Sequence, residues 1–123
     1  MKKIRWSDYK TRIPTHVRIK DVEYEILYTN DFKDGETLGE TRLNTKQIVL
    51  KTNETDKETV HTYIHECLHA VSEEFDVGLT ETQVRKLEKS LTNFLTSGNI
   101  FLNPERKLNA TKQRSRKNTR RLR

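Results

Sequence analysis

Thr55-Asp56-Lys57-Glu58-Thr59-Val60-His61-Thr62-Tyr63-Ile64-His65-Glu66-Cys67-Leu68-His69-Ala70-Val71-Ser72-Glu73-Glu74-Phe75 is the stretch on which the fold turns. Val60, Ile64, Leu68, Val71 and Phe75 recur at helical spacing and make one apolar stripe. Thr55, with Glu58 three residues on, has the form of a capping box, so the helix begins near Thr55 or Asp56. Gly78 is a natural cap for its other end. Within this helix His65 and His69 stand four residues apart, on one face and about one turn from each other. Two imidazoles so placed can converge on one Zn²⁺ at ~2.0–2.1 Å. Glu66 points roughly 100° around the helix, too far round to be a ligand. It can reach a water beside the metal and take its proton. His-Glu-x-x-His also arises by chance on surface helices. Here it lies mid-helix, borders an apolar stripe and follows a β-branched strand.

Outward from the helix, the chain reads as strands before it and a second helix after it. His16 to Lys20 alternates, and Val22, Tyr24, Ile26 and Tyr28 share one side of a second extended run, so the pair reads as a hairpin. Leu38 to Leu43 is a short strand, and Gln47-Ile48-Val49-Leu50-Lys51 is a β-branched one. Met1 to Pro14 shows no period, although Trp6, Tyr9 and Ile13 can pack on the body. Thr80 opens the second helix, with Gln83 in the box position and Val84, Leu87, Leu91, Phe94 and Leu95 on its apolar face. Strands followed by helices imply an α+β fold, with both helices packed on a small antiparallel sheet. The domain is expected over residues 1–104, with Ile100-Phe101-Leu102 docking back before Pro104, and a disordered basic tail over 105–123.

The segment from about Leu38 to Leu95 resembles the core of the minimal zincin metallopeptidases. The resemblance is carried by Gln47-Ile48-Val49-Leu50, by His61 to Ala70, and by Leu79-Thr80-Glu81. The compact form is similar to the small gluzincin-like peptidases of phages and mobile elements, including the ImmA/IrrE-like group. Members of that group often have Gly before the second histidine, where this chain has Leu68. The resemblance implies a zinc-dependent peptidase acting on a protein or peptide. It implies an edge strand that pairs with extended substrate, here Gln47 to Lys51, and a third metal ligand from the second helix. A SprT-like, nucleic-acid-associated protease is the rival within the class, but it uses a third histidine and none follows His69. A zinc-stabilised binding module without turnover is the rival outside it.

For the third ligand Glu81 is best placed, because it begins a helix that must fold back beside the first. An acid in a first turn also simply complements the helix dipole. Glu88, Asp76, Glu74 and His16 are the alternatives. Glu73 and His61 extend the histidine row, but eight residues along a helix is ~12 Å, too long for one ion to span. They belong beside the site. Cys67, two residues from each histidine, points to the core near Ile64 and Val71 as a small packed hydrophobe. Tyr63, Tyr28, Tyr24 and His61 are candidates to steady an oxyanion, and spacing does not choose among them.

Composition bounds the rest. The 123 residues are 32% hydrophobic and 34% charged, enough for one modest core. The net charge of +6 is uneven: residues 106–123 hold nine Lys and Arg and no acid, which leaves 15 basic against 18 acidic residues before them. Such a tail suits nonspecific phosphate contact, and without an aromatic residue it does not suit base reading. A single cysteine, no apolar run of membrane-spanning length and no signal-peptide h-region imply a cytoplasmic protein, expected to be a monomer.

Overall fold

The computed structural model describes residues 4–98. The expected domain boundary near residue 104, the return of Ile100-Phe101-Leu102 and the basic tail lie outside the described residues. Seven elements follow in order: α1 (Trp6–Lys10), β1 (His16–Ile19), β2 (Val22–Thr29), β3 (Gly39–Arg42), β4 (Gln47–Lys51), α2 (Asp56–Glu74) and α3 (Glu81–Ser97). The fold is α+β, as the element order implies.

The four strands form one sheet in the order β1-β2-β4-β3. β1 and β2 are the expected hairpin, with Val17 opposite Tyr24. The sheet is mixed, not wholly antiparallel, because β2 and β4 run parallel, Ile26 beside Ile48 and Tyr28 beside Leu50. β3 and β4 are antiparallel, Thr41 opposite Ile48. This corrects the expectation that Gln47 to Lys51 is an edge. Ile48, Val49 and Leu50 are all buried, and a run apolar on both faces is stable only inside a sheet. β3, Gly-Glu-Thr-Arg, is polar and takes the edge. β3 lies outside β4 and runs opposite to β2, so the turn into β4 brings the chain back in the direction of β2.

α2 lies across the sheet. Val60, Ile64 and Ala70 close a core with Tyr24, Ile26, Ile48 and Leu50. Gly39 lets β3 approach this helix: a Cβ there would stand 2.5 Å from Thr62 Cγ2 and 3.1 Å from Glu66 Cγ. At the helix start the Thr55 side chain accepts from the Glu58 N–H. At its end the cap is Asp76, not Gly78. Asp76 takes φ 56°. Its N–H donates to the Glu73 carbonyl and that of Val77 to Ser72, the paired bonds of a Schellman motif. The full capping box is at α3, where Thr80 and Gln83 exchange both bonds.

Two elements depart from the sequence reading. α1 is a helix of five residues, too short to show a period, and it buries Tyr9, whose hydroxyl donates to the Thr96 carbonyl. α3 turns Glu81 and Glu88 toward α2 and buries Val84, Thr92 and Thr96. Leu87 and Phe94, expected in its buried face, are 39% and 61% exposed. The histidine–carboxylate pairs described next set this rotation.

Candidate metal centre

α2 and α3 are antiparallel neighbours joined by a short loop, so the first turn of α3 meets the second half of α2. Glu81 comes to rest over the His65–His69 face. His65 Nε2 is 3.1 Å from Glu81 Oε2, and His69 Nε2 is 3.0 Å from Glu81 Oε1. One donor atom from each of the three lies within 4.8 Å of the others, the one such His/Cys/Asp/Glu group among the described residues. Tetrahedral ligands at ~2.0–2.2 Å from zinc stand about 3.3–3.5 Å apart. The two Glu81–histidine separations are within a few tenths of an ångström of that, and the donor set of two imidazoles and a carboxylate is one that binds zinc. The group could hold a metal ion.

One of the two donor imidazoles, that of His65, has a carboxylate behind it. Glu88, one face-repeat along α3 from Glu81, is nearly buried. It contacts His61 Nδ1 with one oxygen and lies 3.8 Å from His65 Nδ1 with the other. His65 thus turns Nε2 to the donor cluster and Nδ1 to a carboxylate. The Trp6 ring lies 5.4 Å from that of His61, which brings α1 to the edge of the site. His61 is therefore beside the cluster, bonded to Glu88, as its distance along the helix requires.

Glu66 is 8% exposed, and β3 covers it. Thr41 Oγ1 is 2.7 Å from Glu66 Oε1 and 2.9 Å from the Glu66 carbonyl oxygen. Burial raises the Glu66 pKa above the ordinary carboxylate value, and it outweighs the Thr41 bond and the imidazoles, which act downward. Partial burial pushes Glu81 upward too, but His65, His69 and Arg85 outweigh it and hold Glu81 below the ordinary value. A carboxylate poised to take a proton and one kept ionised thus lie within a turn of the histidines.

The alternatives fall elsewhere. His16 is on β1, at the far side of the sheet from β3, with Nδ1 3.1 Å from Thr15 Oγ1. Glu74 accepts from Tyr24 and Lys46. Asp76 and Glu73 line a cavity that His69 and Glu66 also line, outside the donor group. Cys67 packs against the core, and burial lifts its thiol to about 12. Of the four oxyanion candidates, Tyr24 and Tyr63 are buried and Tyr28 lines a separate cavity with Lys10 and Lys51, so His61 alone shares a cavity with His65 and Glu66.

Two neighbours of the site, Arg85 and Thr41, escaped the sequence reading, and Glu88 was expected there only as an alternative ligand. Arg85, 3.2 Å from Glu81, is visible in principle as an i, i+4 partner. The bracing role of Glu88 follows from its sharing a helix face with Glu81, seven residues away. Thr41 carries no such signal, because its contact exists only once β3 crosses α2. Compared with protein-family models, curated proteins and solved structures, the chain matches none of them. Among the described residues no helix is long and apolar enough to cross a membrane.

Proposed function

We propose that this chain is a zinc-dependent metallopeptidase of gluzincin-like type, with His65, His69 and Glu81 as ligands and Glu66 as general base. The observation that carries the reading is the meeting of both histidine Nε2 atoms on the Glu81 carboxylate, with the buried Glu66 carboxylate beside them. A bound zinc would polarise a peptide carbonyl and make water easier to deprotonate. Glu66, its proton affinity raised by burial, takes a proton from the attacking water and passes it to the leaving amine. Thr41 holds the Glu66 carboxylate in place through that transfer. Glu88 lies behind His65, 3.8 Å from Nδ1, and its charge favours the ring orientation that turns Nε2 to the donor cluster. Extended substrate lies along the outer edge of β3, since β4 has both edges paired.

The glutamate in third place gives no support to a SprT-like site, which uses histidine. The test separates an enzyme from a metal-stabilised module. The parent should carry about one zinc per chain and cleave a peptide mixture. Glu66→Gln should keep the zinc and lose cleavage by roughly 10²–10⁴-fold. Cleavage at the parental rate in Glu66→Gln removes it from the mechanism. A zinc content unchanged by His65→Ala and His69→Ala removes the site.

A further inference from the structure

Two cavities among the described residues adjoin the cluster, and they differ in charge. One, of about 570 Å³, reaches from Thr37 to Glu88, and the other, of about 540 Å³, reaches from Thr41 to Leu79. The first mixes both signs: Glu58, Glu66, Glu81 and Glu88 share its wall with Arg85 and Lys89, and there Glu81 meets Arg85 and Glu88 meets His61. Glu66 lies in the wall of both, and the second adds His69, so it too opens on the reacting position. Beyond those two its charge comes from Glu73 and Asp76, and no Lys or Arg lines it. Neither acid forms an ion pair among the described residues.

We propose, resting on the peptidase reading above, that this second cavity is the subsite for a lysine or arginine side chain next to the scissile bond, with Glu73 and Asp76 selecting it. Leu43 and Leu79 supply aliphatic wall for the methylene stem of such a side chain, and the two carboxylates supply counter-charge for its head. The wall is firm. The Schellman bonds hold Asp76 and Val77, and the Leu79 N–H donates to Ser72 Oγ at 2.8 Å.

The full chain, loaded with zinc, is given a peptide mixture and the cut sites are mapped by mass spectrometry. Lysine or arginine should exceed glutamate at one position flanking the cut by about 25-fold, two exposed ion pairs at ~5-fold each. Glu73→Gln and Asp76→Asn should each reduce that preference about 5-fold. Asp76→Gly, which keeps the left-handed turn, should match Asp76→Asn. A second readout needs no turnover. Peptide hydroxamates carrying lysine or glutamate on either side of the metal-binding group are titrated into zinc-loaded parent and the Glu73→Gln/Asp76→Asn double variant. The lysine compound should bind tighter to the parent, and the difference should vanish in the double variant. Cleavage without a basic preference, with equal hydroxamate binding, overturns the subsite and leaves the peptidase standing. No cleavage, with lysine discrimination that the double variant loses, upholds the cavity and overturns the peptidase. Neither result overturns both.

Discussion

Glu88 faces two imidazoles at once, and the geometry divides its two oxygens between them. The 3.8 Å to His65 is longer than a hydrogen bond, so its hold on that ring is mainly electrostatic. Partners behind metal-bound histidines are worth roughly 10–100-fold in affinity. Glu88→Ala should therefore weaken zinc binding by about 10-fold, the low end, in a competition titration against a chelator. An unchanged zinc affinity would make Glu88 a partner of His61 alone. Cys67 gives a second test at this scale. Burial lifts its thiol to about 12, so almost no thiolate exists at pH 8. Native protein should resist iodoacetamide at that pH, and protein unfolded in guanidinium should react fully; ready modification of the native chain would contradict the packing against the core. The spacing of His65, Glu66 and His69 was readable because a helix fixes it locally. Glu81 was readable because the loop before it is short. Thr41 was not, since nothing local says which strand will cross the helix above Glu66.

Elements meet the site through clips as much as through apolar packing. Glu74, in the last turn of α2, accepts from the Tyr24 hydroxyl of β2 at 2.6 Å and from Lys46, before β4, at 2.9 Å. These two bonds hold its carboxyl below the ordinary glutamate value. The sign follows from linkage: the stabilisation is complete above the ordinary value and is lost as pH falls through the lowered one. Denaturant melts of the parent and Glu74→Gln should differ most at neutral pH and converge as pH falls below the ordinary glutamate value. A difference that stays constant with pH would mean that the clip adds nothing through its charge. The strand order was legible in one respect that the family pattern obscured. Ile48, Val49 and Leu50 are apolar on both faces, which marks β4 as interior. The α3 rotation was not legible, because an amphipathic stripe says which face is apolar and not whether polar partners elsewhere will claim the opposite one. Here Glu81 and Glu88 are claimed by histidines of α2, and Leu87 and Phe94 turn out.

At the scale of the molecule, that rotation makes the docking of α3 depend on the site. The sheet and α2 share a core that owes nothing to the donor cluster. α3 adds Val84 as its one fully apolar buried side chain, with Thr92 and Thr96 beside it. Leu91 and Leu95 are half-buried, and the polar part of its hold is Glu81 on His65 and His69, Glu88 on His61, and the Tyr9–Thr96 bond. A metal in the cluster would tie α3 to α2, and its binding free energy would appear as resistance of α3 to opening. Hydrogen exchange should show this directly. In chelator, amides of residues 81–97 should exchange faster than those of β2, β4 and the middle of α2, as a local opening. Zinc at about 1,000 times its Kd should slow them by up to roughly 1,000-fold, equivalent to ~4.1 kcal/mol. Fraying of β1, at the far side of the sheet, breaks no metal contact, so its outer amides should not respond. Glu81→Ala should remove the zinc-dependent slowing of α3 and leave the exchange of the sheet as in the parent with chelator. If α3 in chelator is as protected as β4, its docking does not rest on the cluster. If zinc slows β1 and α3 alike, the ion is acting elsewhere than between the two helices.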